Sequence, residues 1–109
     1  MANYKAVESL NRAVRYLACS TESPLRRLRT AYAVNLAPRY TRGWPQELQS
    51  SVNMLHDAMY EGIKTDADAL KAIVRIISIY GEAERLYQQE LFKEQSLGSS
   101  PHLDKRYLQ

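Results

Sequence analysis

Bulky apolar residues return every three or four positions through most of this chain, the spacing of helices that bury one face. Val7, Leu10, Val14 and Leu17 form the first such stripe and predict a helix from about Tyr4 to Ala18, with Asn3 as its N-cap. Lys5, Glu8, Arg12 and Arg15 fall on the opposite side, and Tyr16 points outward with them. Ser23-Pro24 marks a second start, because serine caps well and proline suits a first helical position whose N–H has no partner. Its buried line is Leu25, Leu28, Tyr32 and Leu36, and Pro38 ends it by pushing the preceding residue out of the helical region.

A third helix is expected from about Pro45 to Tyr60, with Leu48, Val52, Leu55 and Met59 inward, Ile63 continuing the line and Gly62 as the terminal cap. The fourth runs from about Asp66 to Glu94. Thr65-Asp66-Ala67-Asp68 resembles a capping box, with acids at the positive end of the helix dipole. Ala69, Ile73, Ile76, Tyr80, Ala83 and Tyr87 share its stripe, widened by Leu70, Val74 and Ile77. The Ile73–Tyr80 run is β-branched enough to favour a strand on propensity, but the spacing on both sides and the cap favour helix. Gly81 within it costs about 1 kcal/mol relative to alanine, which points to close contact with a neighbouring helix or to a kink.

These elements predict an all-α, four-helix bundle-like domain over residues 1–95, with a long C-terminal helix and a flexible tail at 96–109 after the Gly98-Ser99-Ser100-Pro101 break. Leu103, Tyr107 and Leu108 could dock that tail. At ~1.5 Å per residue the fourth helix is about 43 Å long and outruns the others. Leu86, Leu91 and Phe92 on its outer half then need cover from a partner subunit, the tail or a target protein.

Charge adds an asymmetry. Residues 1–44 carry eight basic and two acidic side chains, and residues 45–109 carry seven and ten. Such a split suits an anionic partner, or attraction between the two halves within one fold. The single cysteine, Cys19, excludes an internal disulfide and reads as a small buried residue near a helix end. The opening residues do not resemble a signal peptide, and the apolar cluster Ala72–Tyr80 is too short and too broken for a membrane span. The expected location is cytoplasmic.

Several chemistries lack their residues. Two distant histidines and one cysteine do not make a zinc site, and neither His56 nor His102 has the glutamate three residues earlier that di-iron bundles use. Four scattered glycines form no phosphate loop. His56 lies at the edge of the third helix's stripe and reads as a boundary residue; a deep pocket placing it beside a carboxylate would favour an enzyme. No metal, cofactor or catalytic residue is expected.

Arg39-Tyr40-Thr41-Arg42-Gly43-Trp44 is the densest candidate binding stretch, a loop between Pro38 and Pro45. Arg, Tyr and Trp are enriched at protein hot spots, and they also suit phosphate contact and base stacking. Trp44 could equally staple the loop to the core. A helix-turn-helix is disfavoured by the long connection and by the absence of Lys or Arg between Pro45 and Tyr60. The expected function is therefore a non-enzymatic interaction or regulatory protein. It would bind another protein, a second copy of itself included, through a helical face and Arg12, Tyr16, Arg39, Tyr40, Arg42 and Trp44. The alternative is a nucleic-acid binder that adds Arg15, Arg26, Arg27 and Arg29. Tyr4 and Tyr60 are further exposed aromatics on this reading.

Overall fold

The computed structural model describes the backbone of residues 2–98 and the side chains of residues 3–93. All elements within that range are helical: α1 (Ala2–Cys19), α2 (Pro24–Ala31), a π-helical turn (Tyr32–Leu36), α3 (Pro38–Thr41), α4 (Gln46–Glu61) and α5 (Asp66–Gly98). The Ile-rich stretch in the seventies is helix, as its spacing requires. Helix α5 continues to Gly98, past the expected start of the tail at residue 96; residues 99–109, with the expected docking of Leu103, Tyr107 and Leu108, lie outside the described residues.

Helix α5 is the spine. Helix α1 lies antiparallel along it, since Asn3 Nδ2 donates to Glu90 Oε2 at 3.0 Å and Asn11 Nδ2 to the Tyr80 hydroxyl at 2.7 Å. The Tyr4 and Tyr87 rings meet at 5.8 Å between the same helices. Helix α1 therefore supplies the cover that the outer half of α5 needs: Leu86 is buried and Leu91 half-buried, while Phe92 stays exposed. Helices α2 and α4 pack on the amino-terminal part of α5.

The buried faces of α1 and α5 are turned from the expected stripes. Full burial falls on Ala6, Leu10, Ala13 and Leu17 of α1, and on Ala69, Ala72, Ile76, Ile79, Ala83 and Leu86 of α5. Val7, Val14, Ile73 and Tyr80 are only partly buried against this core. Small side chains along the seam let the two backbones approach closely, a gain invisible to a count of bulky residues alone. Leu70, Val74 and Ile77 consequently face away from the core, at 49, 65 and 51% exposure.

Local chemistry sets most of the helix ends. Ser23 Oγ accepts from the Arg26 N–H, and the Asp66 carboxylate reaches back from α5 to the Leu25 N–H at 3.1 Å. Thr65 Oγ1 accepts from the Asp68 N–H at 3.1 Å, the expected cap of α5. Gly62 closes α4 with φ 96, a region where a side chain is strained. Asn3 lies inside α1 instead of capping it, and its side chain is spent on Glu90. Cys19 is exposed rather than buried, being the last residue of α1, past the seam with α5.

The π-helical turn has a packing cause. Eight residues separate Leu28 from Leu36, which on an α-helical path sets them about 80° apart. Widening one turn absorbs roughly one residue, and both leucines become fully buried. Ala37 then leaves the helical region at ψ 157 ahead of Pro38, as expected.

If the alanine seam controls the α1–α5 approach, enlarging it should be costly. Ala13→Leu is expected to lower unfolding free energy in urea by about 1–3 kcal/mol through overpacking. The same denaturation should show Leu28→Ala costing about 2–5 kcal/mol through the cavity it leaves. An Ala13→Leu protein as stable as the parent would mean that the two helices are not held close at this point.

Candidate interaction surface

The cationic residues of the amino-terminal half are mostly on the surface. Arg15, Arg26, Arg29, Arg39 and Arg42 are exposed and form no ion pair among the described residues. Arg12 is exposed and bridges Glu8 of its own helix at 2.8 Å. Arg27 is half-buried and donates to the Leu17 carbonyl at 3.0 Å, which ties α2 to α1. Attraction between the basic and acidic halves does not take the form of ion pairs among the described residues: the pairs there are Arg12–Glu8 and Arg85–Glu82, each within one helix.

The expected Arg-aromatic loop divides. Pro38–Thr41 is a helical turn, not loop, and the Arg39 guanidinium lies 4.9 Å from the centre of the exposed Tyr40 ring. Trp44 departs from the surface reading. It is 5% exposed and belongs to the core, and Gln49 Nε2 donates to its carbonyl at 3.0 Å. Tyr16 also turns inward and packs partly against the core, because the real α1 seam lies on the alanine side of the expected stripe. Arg39, Tyr40 and Arg42 remain as an exposed cluster on and beyond α3.

A surface not anticipated from the sequence lies on α5. Leu70, Val74, Ile77 and Gly81 fall within an arc of about 60° on a helix of 3.6 residues per turn. The three apolar members are about half exposed or more. Met54 of α4 is 52% exposed and lies on another side of α5, with Arg75 Nη1 3.8 Å from its sulfur. Gly81 has open space where a Cβ would stand, so no described helix explains it, and α5 runs through it as one element. The signal was present in the chain, in the apolar positions that widened the stripe.

His56 has more structure around it than a boundary residue requires. Its Nδ1 is 2.5 Å from the Tyr32 hydroxyl and its Nε2 is 2.9 Å from Thr41 Oγ1. The consistent arrangement has Tyr32 donating to Nδ1 and Nε2–H donating to Thr41, whose hydroxyl faces the Pro38 carbonyl at 3.4 Å. One imidazole thus ties the π-helical turn and α3 to α4. Burial pushes the His56 pKa below its ordinary 6.5, opposed in part by Asp57, and burial pushes the Tyr32 hydroxyl upward. Both shifts favour the neutral forms that this chain of bonds needs.

A groove of about 500 Å³ opens beside it, lined by Tyr32, Pro38, His56, Asp57, Met59 and Tyr60. His56 and a carboxylate do share this opening, but both ring nitrogens are already engaged within the fold. What the arrangement does chemically is hold three segments together. Among the described residues no group of three or more His, Cys, Asp or Glu could hold a metal ion, and no helix is long and apolar enough to cross a membrane.

The imidazole gives a pH dependence with a definite sign. Below pH 6.5 the unfolded chain takes up the proton while folded His56 resists it, so stability falls as pH drops and levels off once the lowered folded pKa is passed. Urea unfolding at about pH 7.5 and at stepped values down to about pH 5 should show this loss. His56→Gln should start less stable at the upper pH and lose less on acidification. Equal pH slopes for the two proteins would remove His56 as the cause.

The sequence matches no known protein family, no curated protein and no solved structure.

Proposed function

We propose that this chain is a non-enzymatic interaction protein of the cytoplasm, which engages another protein through the outer face of α5. The observation that carries the reading is Leu70, Val74 and Ile77 standing exposed in succession on one helix. Isolated exposed apolar residues are ordinary, but a contiguous row on a well-packed fold marks a contact surface. Arg39, Tyr40 and Arg42 supply a second, polar contact of the kind found at interface hot spots.

A benzophenone amino acid placed at Val74 tests this directly in living cells. Irradiation should give an adduct of discrete mass, and Ile77→Asp should abolish it. The same probe at exposed Glu22, between α1 and α2, is the control. No adduct at Val74 that is absent at Glu22 would refute the proposed surface.

A nucleic-acid reading is favoured by a separate observation: the five arginines Arg15, Arg26, Arg29, Arg39 and Arg42 are exposed and form no ion pair among the described residues. It requires retardation of single- or double-stranded probes at low salt, with affinity falling about tenfold or more by physiological salt. Unretarded probes at low salt would dispose of it.

A further inference from the structure

We propose that the groove between the π-helical turn, α3 and α4 is a small-molecule site for an alkylated ammonium of choline size, held by the Tyr32 and Tyr60 rings and the Asp57 carboxylate. The site is built from other elements than the α5 face and does not depend on the interaction reading above.

Its volume of about 500 Å³ is ordinary for a ligand site. Two aromatic rings, a proline and a methionine make the lining largely apolar. Asp57 is the one formal charge among the described lining residues, because burial keeps His56 neutral at pH 7. The sign of the surroundings agrees. The groove opens at the last two turns of α4, the negative end of that helix dipole. Helix α4 carries Glu47, Asp57 and Glu61, with no Lys or Arg to offset them. Two arginines of neighbouring elements are engaged elsewhere: Arg39 lies over Tyr40, and Arg29 donates to the Ile63 carbonyl.

Tyr60 is the second feature. Its ring is 94% exposed and makes no hydrogen bond among the described residues, so the described packing gives it no role. It follows His56 by four positions and Asp57 by three, which sets all three side by side on the helix surface. An aromatic face beside a carboxylate, at the rim of an apolar groove, attracts an organic cation through the ring quadrupole and the charge together. Tyr32 is held ready across the groove. Its hydroxyl is committed to His56 Nδ1, and its ring stands edge-on to the imidazole at 5.6 Å. A wall already ordered lowers the cost of binding.

The same lining chooses among cations. A primary ammonium brings three N–H donors that need acceptors, and the groove offers chiefly one carboxylate. An alkylated ammonium brings charge and apolar surface without that demand, which suits rings and methionine.

Choline titrated into the full chain, up to about 50 mM and against sodium chloride of equal ionic strength, should bind with a Kd of about 1–10 mM. Methionine methyl resonances locate it: Met59 in the groove should shift, while Met54, beside Arg75, should not. The neutral isostere of choline, with a quaternary carbon in place of nitrogen, should bind at least about tenfold more weakly. Asp57→Asn and Tyr60→Leu should each weaken choline binding about five- to tenfold, and Tyr60→Phe, which keeps the ring, should leave it unchanged. Both side chains are exposed, so urea unfolding of these variants should match the parent.

Equal affinity for choline and its neutral isostere overturns the inference, since the groove would then take apolar bulk without regard to charge. So does choline binding indifferent to both Asp57→Asn and Tyr60→Leu, or a Met54 shift as large as that of Met59. The absence of any saturable shift at the top of the titration overturns it as well.

Discussion

The close approach of α1 to α5 around Ala6, Ala13 and Ala83 governs the rest of this molecule, its exposed faces included. A helix of thirty-three residues with apolar side chains on several sides has more than one face it could bury. The face inside is the one with the smallest side chains among its larger ones, where leucines and isoleucines interlock around the alanines at interior density. Once that face is inside, Leu70, Val74 and Ile77 are outside by geometry. The exposed row is thus a product of the packing on the other side of the same helix.

A second constraint acts at the opposite end of the polarity scale. His56 holds Tyr32 and Thr41 with its two nitrogens, and these three side chains belong to α4, the π-helical turn and α3. Helices α2 and α4 have no long hydrophobic seam with each other, so a polar tie carries the junction. Bonds of this kind add specificity because they are met only in one arrangement, and the desolvated imidazole makes the junction sensitive to acid. The alanine seam orders the long helices, and the histidine orders the short ones.

Much of this was legible in the chain. The number and position of the long helices, the caps at Ser23, Thr65 and Gly62, and the buried line Leu48-Val52-Leu55 all come from local chemistry acting on near neighbours. The stripes of α1 and α5 were legible only to within part of a turn, because periodicity weighted by bulk cannot see that alanine is the better residue where helices must touch. Trp44 and Tyr16 carry residue types common at interfaces, and nothing local distinguishes a tryptophan that inserts from one that projects. The roles of His56 and Gly81 are relations between elements distant in sequence. His56 needed Tyr32 and Thr41 beside it, and Gly81 became informative when no described neighbour was found to fill its space.

The widened turn at Tyr32–Leu36 has an implication for how this chain tolerates changes in its own length. It already stores one residue more than a regular helix would use between Leu28 and Leu36. Loss of Ala33 or Val34, both exposed, would let the segment relax to ordinary winding while Leu36 still meets the interior. Gain of a residue there would have no such reserve to draw on. Insertions and deletions are therefore not equivalent at this point of the fold, and the segment has room to shorten but none to grow.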